Sequence, residues 1–109
     1  MSVQEVFSTL TEKMNTVPNG IAGVNTVYQF DLSGDQGGTY QLKIEDGKAE
    51  YVQGTSFDAK CSLQMSDESF LKLMKGKLNP TMAFMTGKLK INGDVGLAMK
   101  LQSILQKYQ

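Results

Sequence analysis

The residue types that carry out most enzyme chemistry are scarce in this chain of 109 residues, which contains no histidine. Without an imidazole the chain lacks the usual general base and the commonest ligand of transition metals. The single cysteine, Cys61, alternates with Leu63 and Met65 and has no basic neighbour in the sequence except Lys60, a pattern that favours a small buried hydrophobic side chain over a nucleophile. A lone cysteine excludes a disulfide within the chain and is typical of the reducing cytoplasm.

Two short motifs resemble catalytic or metal-binding sequences, and both are incomplete. Ser69 and Lys72 have the S-x-x-K spacing of some acyl-transfer enzymes, but the companion motifs are missing. The segment Asp31–Asp35 resembles the start of a calcium loop, yet the position that requires a bidentate glutamate holds Leu42. The eleven glycines form no phosphate-binding loop or dinucleotide motif. We therefore predict that the protein is not an enzyme and uses no metal or cofactor.

The charges sum to zero but are distributed unevenly along the chain. Residues 1–71 hold four lysines and ten acidic residues, whereas residues 72–109 hold seven lysines and one acidic residue. The chain has no arginine, the residue typical of bidentate base and phosphate recognition, so we expect no nucleic-acid partner. Two interpretations of the basic third stay open. We favour ordinary solvated faces, and the alternative is transient contact of Lys88, Lys90 and Lys100 with an anionic membrane or the phosphates of coenzyme A.

The hydrophobic periodicity predicts one α+β domain over residues 1–109, with a five-stranded sheet covered on one face by four helices. No apolar run reaches the ~18–20 residues that cross a bilayer, and the N-terminus lacks a signal-peptide pattern, so we expect a cytoplasmic protein. The predicted helices cover residues 3–16, 66–76, 79–87 and 95–107, and the predicted strands cover residues 25–32, 39–45, 48–53, 59–65 and 88–92.

The short helix between Asn79 and Gly87 is unusual because four apolar residues follow one another in it, from Met82 to Met85. Four consecutive residues cannot share one stripe of a helix, so the pattern predicts either full burial or one side facing an internal space. Five of the seven methionines, at positions 65, 74, 82, 85 and 99, fall in this helix and the segments expected around it. Flexible methionines suit a surface that accommodates several apolar shapes. We interpret the short helix as the lid of an apolar interior.

The segment F-M-T-G-K-L-K-I-N-G-D, from Phe84 to Asp94, closely resembles the C-terminal half of sterol carrier protein 2 domains. Similar stretches at Val27–Phe30, Asp67–Phe70, Gly76–Pro80 and Leu97–Leu101 extend the resemblance over essentially the whole chain. The resemblance implies a mostly antiparallel five-stranded sheet, helices on one face and an apolar cavity between the two layers. It also implies non-catalytic binding of a fatty acid, fatty acyl-CoA, sterol or phospholipid.

We therefore expect the sheet to form the floor of a lipid-binding cavity and the C-terminal helices to form its walls and lid. The partner is then a lipid or fatty acyl ligand, the chain is a monomer or weak dimer, and burial of acyl methylenes, at ~0.8 kcal/mol each, drives binding. The alternative is a protein–protein interaction or dimerisation module with a filled core and no ligand. The expected lipid-binding residues are Phe30, Leu42, Ile44, Leu63, Met65, Phe70, Met74, Met82, Phe84, Met85, Ile91, Met99, Leu101 and Leu105.

Overall fold

The computed structural model describes residues 2–109, which form five β-strands and four α-helices. A 3-10 helix, Pro18–Ile21, follows the first α-helix. The α-helices are α1 (Val3–Thr16), α2 (Asp67–Met74), α3 (Pro80–Met85) and α4 (Val95–Gln106), and the strands are β1 (Thr26–Ser33), β2 (Gly38–Glu45), β3 (Lys48–Gln53), β4 (Cys61–Ser66) and β5 (Lys90–Gly93).

The strands form one sheet in the order β3-β2-β1-β4-β5. Strands β1 and β4 are parallel, and the other three neighbouring pairs are antiparallel, which confirms the predicted mostly antiparallel sheet. The β2–β3 hairpin turns at Asp46 and Gly47, which both have positive φ, 52° and 75°. Two such residues form the turn that matches the twist of the flanking strands, and an Asp-Gly pair is typical of this turn.

The helix starts follow the capping signals in the sequence. The Ser2 side chain accepts a hydrogen bond from the Glu5 N–H, and the Glu5 carboxylate accepts one from the Ser2 N–H, so a capping box begins α1. The Asn79 side chain accepts from the N–H groups of Thr81 and Met82 at the start of α3. Since Pro80 has no N–H to satisfy at the first helical position, this short helix begins without an unpaired donor there.

One face of the sheet is covered by helices, and aromatic rings fill the contact. Phe7 of α1 lies in the middle of this cluster, with its ring centroid 5.5 Å from that of Phe30 and 4.8 Å from that of Phe70. The rings of Tyr40 and Tyr51 stack on Phe7 from the sheet side. Helix α4 lies on β4 and β5. The helical layer and the sheet are therefore in direct contact.

Strands β4 and β5 and helix α2 each begin or end two residues away from the predicted bound. Strand β5 begins at Lys90 and not at residue 88, because the N–H groups of Lys88 and Leu89 both donate to the Ala83 carbonyl, at 2.9 and 3.1 Å, and complete the end of α3. Strand β4 begins at Cys61 and not at residue 59. Helix α2 ends at Met74, and Gly76 lies beyond it with φ of 76°, in the conformation that ends helices. None of the helices of residues 2–109 is both long enough and apolar enough to span a bilayer.

Candidate functional site

The structure brings the expected floor residues together on the helix-facing side of the sheet. Phe30 and Leu63 are directly opposite each other on β1 and β4, and Leu63 is opposite Ile91 on β5. Leu42 and Ile44 occupy the same face of β2. Floor residues on the central strands are almost completely buried, whereas Ile91 near the sheet edge is half-buried. The sheet thus presents a continuous apolar surface to the helices.

The expected wall residues of α2 and α4 are part of the same core. Phe70, Leu101 and Leu105 are buried, Met74 and Met99 are half-buried, and Met65, a floor residue near the end of β4, is also buried. The apolar cavity that was expected between walls and floor is not seen in the described residues. Large rings such as Phe7 and Phe70 occupy this interface, and close packing gives their atoms contacts that an empty space would remove.

Helix α3 buries Ala83 but leaves the other three apolar residues of the run from Met82 to Met85 in solvent, so the expected full burial of this helix is wrong. The side chains of Met82, Phe84 and Met85 are 60%, 44% and 76% exposed, while Pro80 and Ala83 are buried. A helix of six residues packs through one side, and in α3 that side is small. The larger side chains therefore point into solvent. Whether they contact lipid stays a prediction.

A surface cleft of about 290 Å³ opens where α2, the segment after it and α4 meet. Leu105 of α4, an expected site residue, lies in its wall together with Leu73, Leu78 and Pro80. Leu73 and Leu78 were absent from the expected site. Leu73 continues the apolar face of α2, and that periodicity was the signal that could have identified it. This cleft is an opening in the helical layer next to the expected walls.

A second, mainly apolar groove of about 260 Å³ runs between α1, the end of α2 and the C-terminal residues. Its lining includes Leu10, Met74 and Tyr108. The Gln109 side chain lines both the groove and the cleft, and its amide nitrogen donates to the Leu73 carbonyl at 3.4 Å. The hydrogen-bonded Gln109 side chain therefore lies between the cleft and the groove, which open on either side of α2.

Two ionisable groups of the interior, Cys61 and Tyr28, are held in their neutral forms. Burial, followed by the charge of Asp94, raises the pKa of the Cys61 thiol to about 11. Burial is also the main cause that raises the pKa of Tyr28 well above its ordinary range, and the Tyr28 hydroxyl donates to the Leu97 carbonyl at 2.8 Å. Among residues 2–109, no three His, Cys, Asp or Glu side chains lie close enough to hold a metal ion. The interior is therefore mainly apolar.

These features define the class of the protein as a small α+β domain with an apolar helix–sheet interface. Residues 7–106 match the model of the SCP-2 sterol transfer family. Because this match covers most of the chain, the protein belongs to that family, as the resemblance of its C-terminal half predicted.

Individual relatives agree with this assignment. The chain is 40% identical over 104 residues to hydroxysteroid dehydrogenase-like protein 2 of Xenopus tropicalis. The aligned region covers 94% of this chain and 24% of the frog protein. The chain thus spans about a quarter of the length of the curated relatives that it matches first. The solution structure of sterol carrier protein domain 2 of Helicoverpa armigera is 33% identical, with a TM-score of 0.81 over 96% of this chain and 86% of that one.

A more distant structure shares the fold. The solution structure of Aedes aegypti sterol carrier protein-2 in complex with palmitate has a TM-score of 0.74 and 21% identity over 96% of both chains. This similarity concerns the arrangement of helices and strands.

Proposed function

We propose that this domain is a non-catalytic lipid carrier, which holds the apolar part of a fatty acid, fatty acyl-CoA, sterol or phospholipid between the sheet and the C-terminal helices. The observation that carries the proposal is the match of residues 7–106 to a sterol transfer family. The palmitate complex of the Aedes aegypti protein supports an acyl chain as one ligand class. The one cysteine, Cys61, is a free thiol, as is usual in a reducing compartment, and we propose the cytoplasm.

The helical layer has to open for such a ligand, because the helix–sheet contact is filled by the protein's own side chains. We propose the cleft between α2 and α4 as the entrance, since it already reaches the buried Leu105 side chain from the surface. Helix α3 borders this cleft through Pro80 and contacts α4 at the Thr81 hydroxyl, 3.5 Å from the Met99 sulfur. A chain that enters here would separate α4 from α2 and pass between Leu101, Leu105 and the sheet.

The free energies involved indicate that the cost of opening the helical layer controls the affinity for lipid. A sixteen-carbon chain with about fifteen buried methylene and methyl groups gains roughly 12 kcal/mol from apolar burial. Association alone costs ~4–15 kcal/mol, so the two quantities are of similar size. Affinity then depends on how little free energy is needed to move α3 and α4. The few contacts of α3 with the rest of the chain support this part as the element that moves.

The polar end of the ligand is expected to stay near the surface. The segment after α1, Gly20–Val24, contains no basic side chain that could bind a carboxylate. Basic groups are instead concentrated in the C-terminal third, where Lys88, Lys90 and Lys100 are exposed. We assign these lysines to transient contact with anionic membranes or phosphate-bearing lipids, with the domain acting as a monomer.

The proposal is tested by mass spectrometry of an organic extract of the purified protein and by thermal unfolding with added palmitate. A ligand at 100 times its dissociation constant stabilises the folded state by ~2.7 kcal/mol. For a domain of this size we expect the melting temperature to rise by about 10 °C or more. Hexanoate is the matched control and should produce no shift at the same concentration, because it buries few methylenes.

Two results would argue against the proposed function. The absence of co-purified lipid, together with no shift for palmitate, palmitoyl-CoA and cholesterol, would contradict the proposed function. A molecular mass that increases with protein concentration, without any lipid uptake, would favour the interaction module instead.

A further inference from the structure

The exposed apolar side chains of this protein are concentrated on one part of the surface. Five large hydrophobic residues are exposed within residues 2–109, and four of them lie between positions 82 and 95: Met82, Phe84, Met85 and Val95. Met82, Phe84 and Met85 all belong to α3, and we call these three the α3 patch. Single exposed hydrophobic residues are common, whereas a group of them on one short helix marks an interaction surface.

The α3 patch is flanked by lysines. Lys77 precedes the first residue of α3 by three positions, and Lys88 follows its last residue by three positions. The Lys88 N–H donates to the Ala83 carbonyl at 2.9 Å, which holds that lysine's backbone against the end of α3. Lys100 follows Met99, the residue of α4 that α3 contacts.

The lysines near the α3 patch form no ion pair within residues 2–109, although Asp31 lines the same surface depression as Lys88 and Lys90. From residue 69 to residue 109, Asp94 is the one acidic residue, and its carboxylate accepts a hydrogen bond from the Leu97 N–H as the N-cap of α4. In the part of the chain that the structure describes, the one ion pair joins Lys43 to Glu45 in the hairpin. The lysines beside α3 thus remain available to an external anion.

We propose that the α3 patch and its flanking lysines dock on an anionic lipid bilayer, with Met82, Phe84 and Met85 inserted at the level of the headgroups. This inference rests on the proposed function as a lipid carrier, and it assigns the surface through which the carrier meets a membrane. Apolar side chains between lysines are the combination that binds an anionic interface, through apolar burial and electrostatic attraction together.

The charge also argues against a second copy of the chain as the occupant. In a symmetric dimer the same surface patch meets itself, so a contact centred on α3 would bring Lys77 and Lys88 near their counterparts. With no acidic residue in this segment apart from Asp94, those lysines would repel each other. An anionic bilayer supplies the complementary charge instead.

Docking at α3 also has a consequence for the cleft. Pro80, the first residue of α3, lines the cleft between α2 and α4 together with Leu105. Insertion of the α3 patch into a bilayer would draw α3 away from Met99 and place the cleft against the membrane. The lipid would then pass between membrane and protein without crossing water.

Vesicle flotation at 150 mM salt tests the docking surface with two sets of variants. The apolar variant is Met82→Ser with Met85→Ser, and its control is Val17→Ser, because Val17 is 55% exposed but lies outside the patch. On vesicles of phosphatidylcholine with 30% phosphatidylserine we expect the apolar variant to bind at least about tenfold more weakly. The Val17→Ser control should bind like the unchanged protein.

The basic variant is Lys77→Gln with Lys88→Gln, and its control is Lys48→Gln with Lys60→Gln, two exposed lysines of the acidic part of the chain. We expect about fivefold weaker binding for each lysine removed beside α3 and no loss for the control. All these positions are exposed, so folding should be preserved, and thermal unfolding of each variant verifies it. Replacing phosphatidylserine by phosphatidylcholine should abolish the difference between the basic variant and its control.

Fluorescence gives a second measurement that does not depend on loss of binding. The chain contains no tryptophan, so Met85→Trp introduces a single indole on α3 and Val17→Trp a matched one outside the patch. A blue shift of Met85→Trp alone on anionic vesicles supports insertion. No shift at Met85→Trp while the protein floats with the vesicles would overturn the α3 assignment.

Failure of docking and failure of lipid carriage are distinguished by the palmitate melting shift, measured without vesicles. Docking is overturned if the apolar variant floats like the unchanged protein, or if the unchanged protein forms a dimer that Met82→Ser with Met85→Ser dissociates. In either case palmitate should still raise the melting temperature of the unchanged protein. Absence of the palmitate shift in every variant would instead contradict the proposed function.

Discussion

Replacement of Leu105 by alanine offers a test of where the acyl chain is bound. Leu105 is 2% exposed and lines the cleft between α2 and α4. Its neighbour Ile104 is equally buried on α4 but is not part of the cleft lining, and Ile104→Ala is therefore the matched control. Each substitution should destabilise the protein without ligand by about 2–5 kcal/mol. That loss is a large part of the ~5–15 kcal/mol of a typical domain.

The two variants should differ once palmitate is added. Leucine to alanine removes three carbon atoms, and three methylenes of the ligand that fill their place return ~2.4 kcal/mol, at ~0.8 kcal/mol each. This corresponds to an affinity for palmitate up to ~60-fold higher in Leu105→Ala than in the unchanged protein. In Ile104→Ala the new space opens elsewhere, so the affinity should stay within about threefold.

Urea unfolding gives the stability loss of both variants, and isothermal titration with palmitate gives the affinities. Titration with a chain shortened by three methylenes should remove most of the difference, because less of the ligand reaches the new space. If Leu105→Ala bound palmitate no more tightly than Ile104→Ala, the chain would not pass Leu105. The proposed entrance between α2 and α4 would then be wrong.

Three further predictions concern groups that position the helices. Because burial raises the pKa of Cys61 from 9.0 to about 11, the thiol of the unfolded chain ionises first as the pH rises above 9. The free energy of unfolding should therefore fall by at most about 1.4 kcal/mol per pH unit. Urea unfolding at pH 8 and pH 10 should show a smaller loss of stability in Cys61→Ala than in the unchanged protein. A Cβ on Gly20 would lie 2.6 Å from the Tyr108 ring, so Gly20→Ala should cost ~1–3 kcal/mol in denaturant unfolding but little in a Tyr108→Ala background. The Asn15 side chain accepts a hydrogen bond from the Ala49 N–H at 2.7 Å and donates one to the Ala49 carbonyl at 2.9 Å. Asn15→Ala should therefore lower the urea midpoint by the equivalent of ~1–3 kcal/mol. An unchanged midpoint would show that water replaces both hydrogen bonds.

The parts of the fold with strong local signals could be predicted from the sequence. The capping box at Ser2 and Glu5 and the apolar spacing after it define α1 to the residue. The Asp46-Gly47 pair identifies the β2–β3 hairpin, because few residue pairs adopt two consecutive positive φ angles. Alternation along the strands also placed the sheet residues of the expected site on one face.

The orientation of α3 and the filling of the interior could not be predicted in the same way. Four apolar residues in a row define no helix face, so position in the sequence does not say whether Met82 or Ala83 points inward. That choice is made by tertiary contacts, and the small Ala83 lets α3 approach the rest of the chain closely. Likewise, the aromatic cluster around Phe7 depends on contacts between α1, α2 and three strands, which no local periodicity encodes.

The most direct test of the proposed carrier function is an NMR measurement of contacts between carbon-13-labelled palmitate and methyl groups of the protein. The ligand should show nuclear Overhauser effects to the methyl groups of Leu101, Leu105 and Met99, which lie along the proposed path between α4 and the sheet. Such contacts would place the acyl chain inside the opened helical layer. Effects confined to Met82 and Met85 on the outer surface of α3, or no effects with any long-chain lipid, would contradict it.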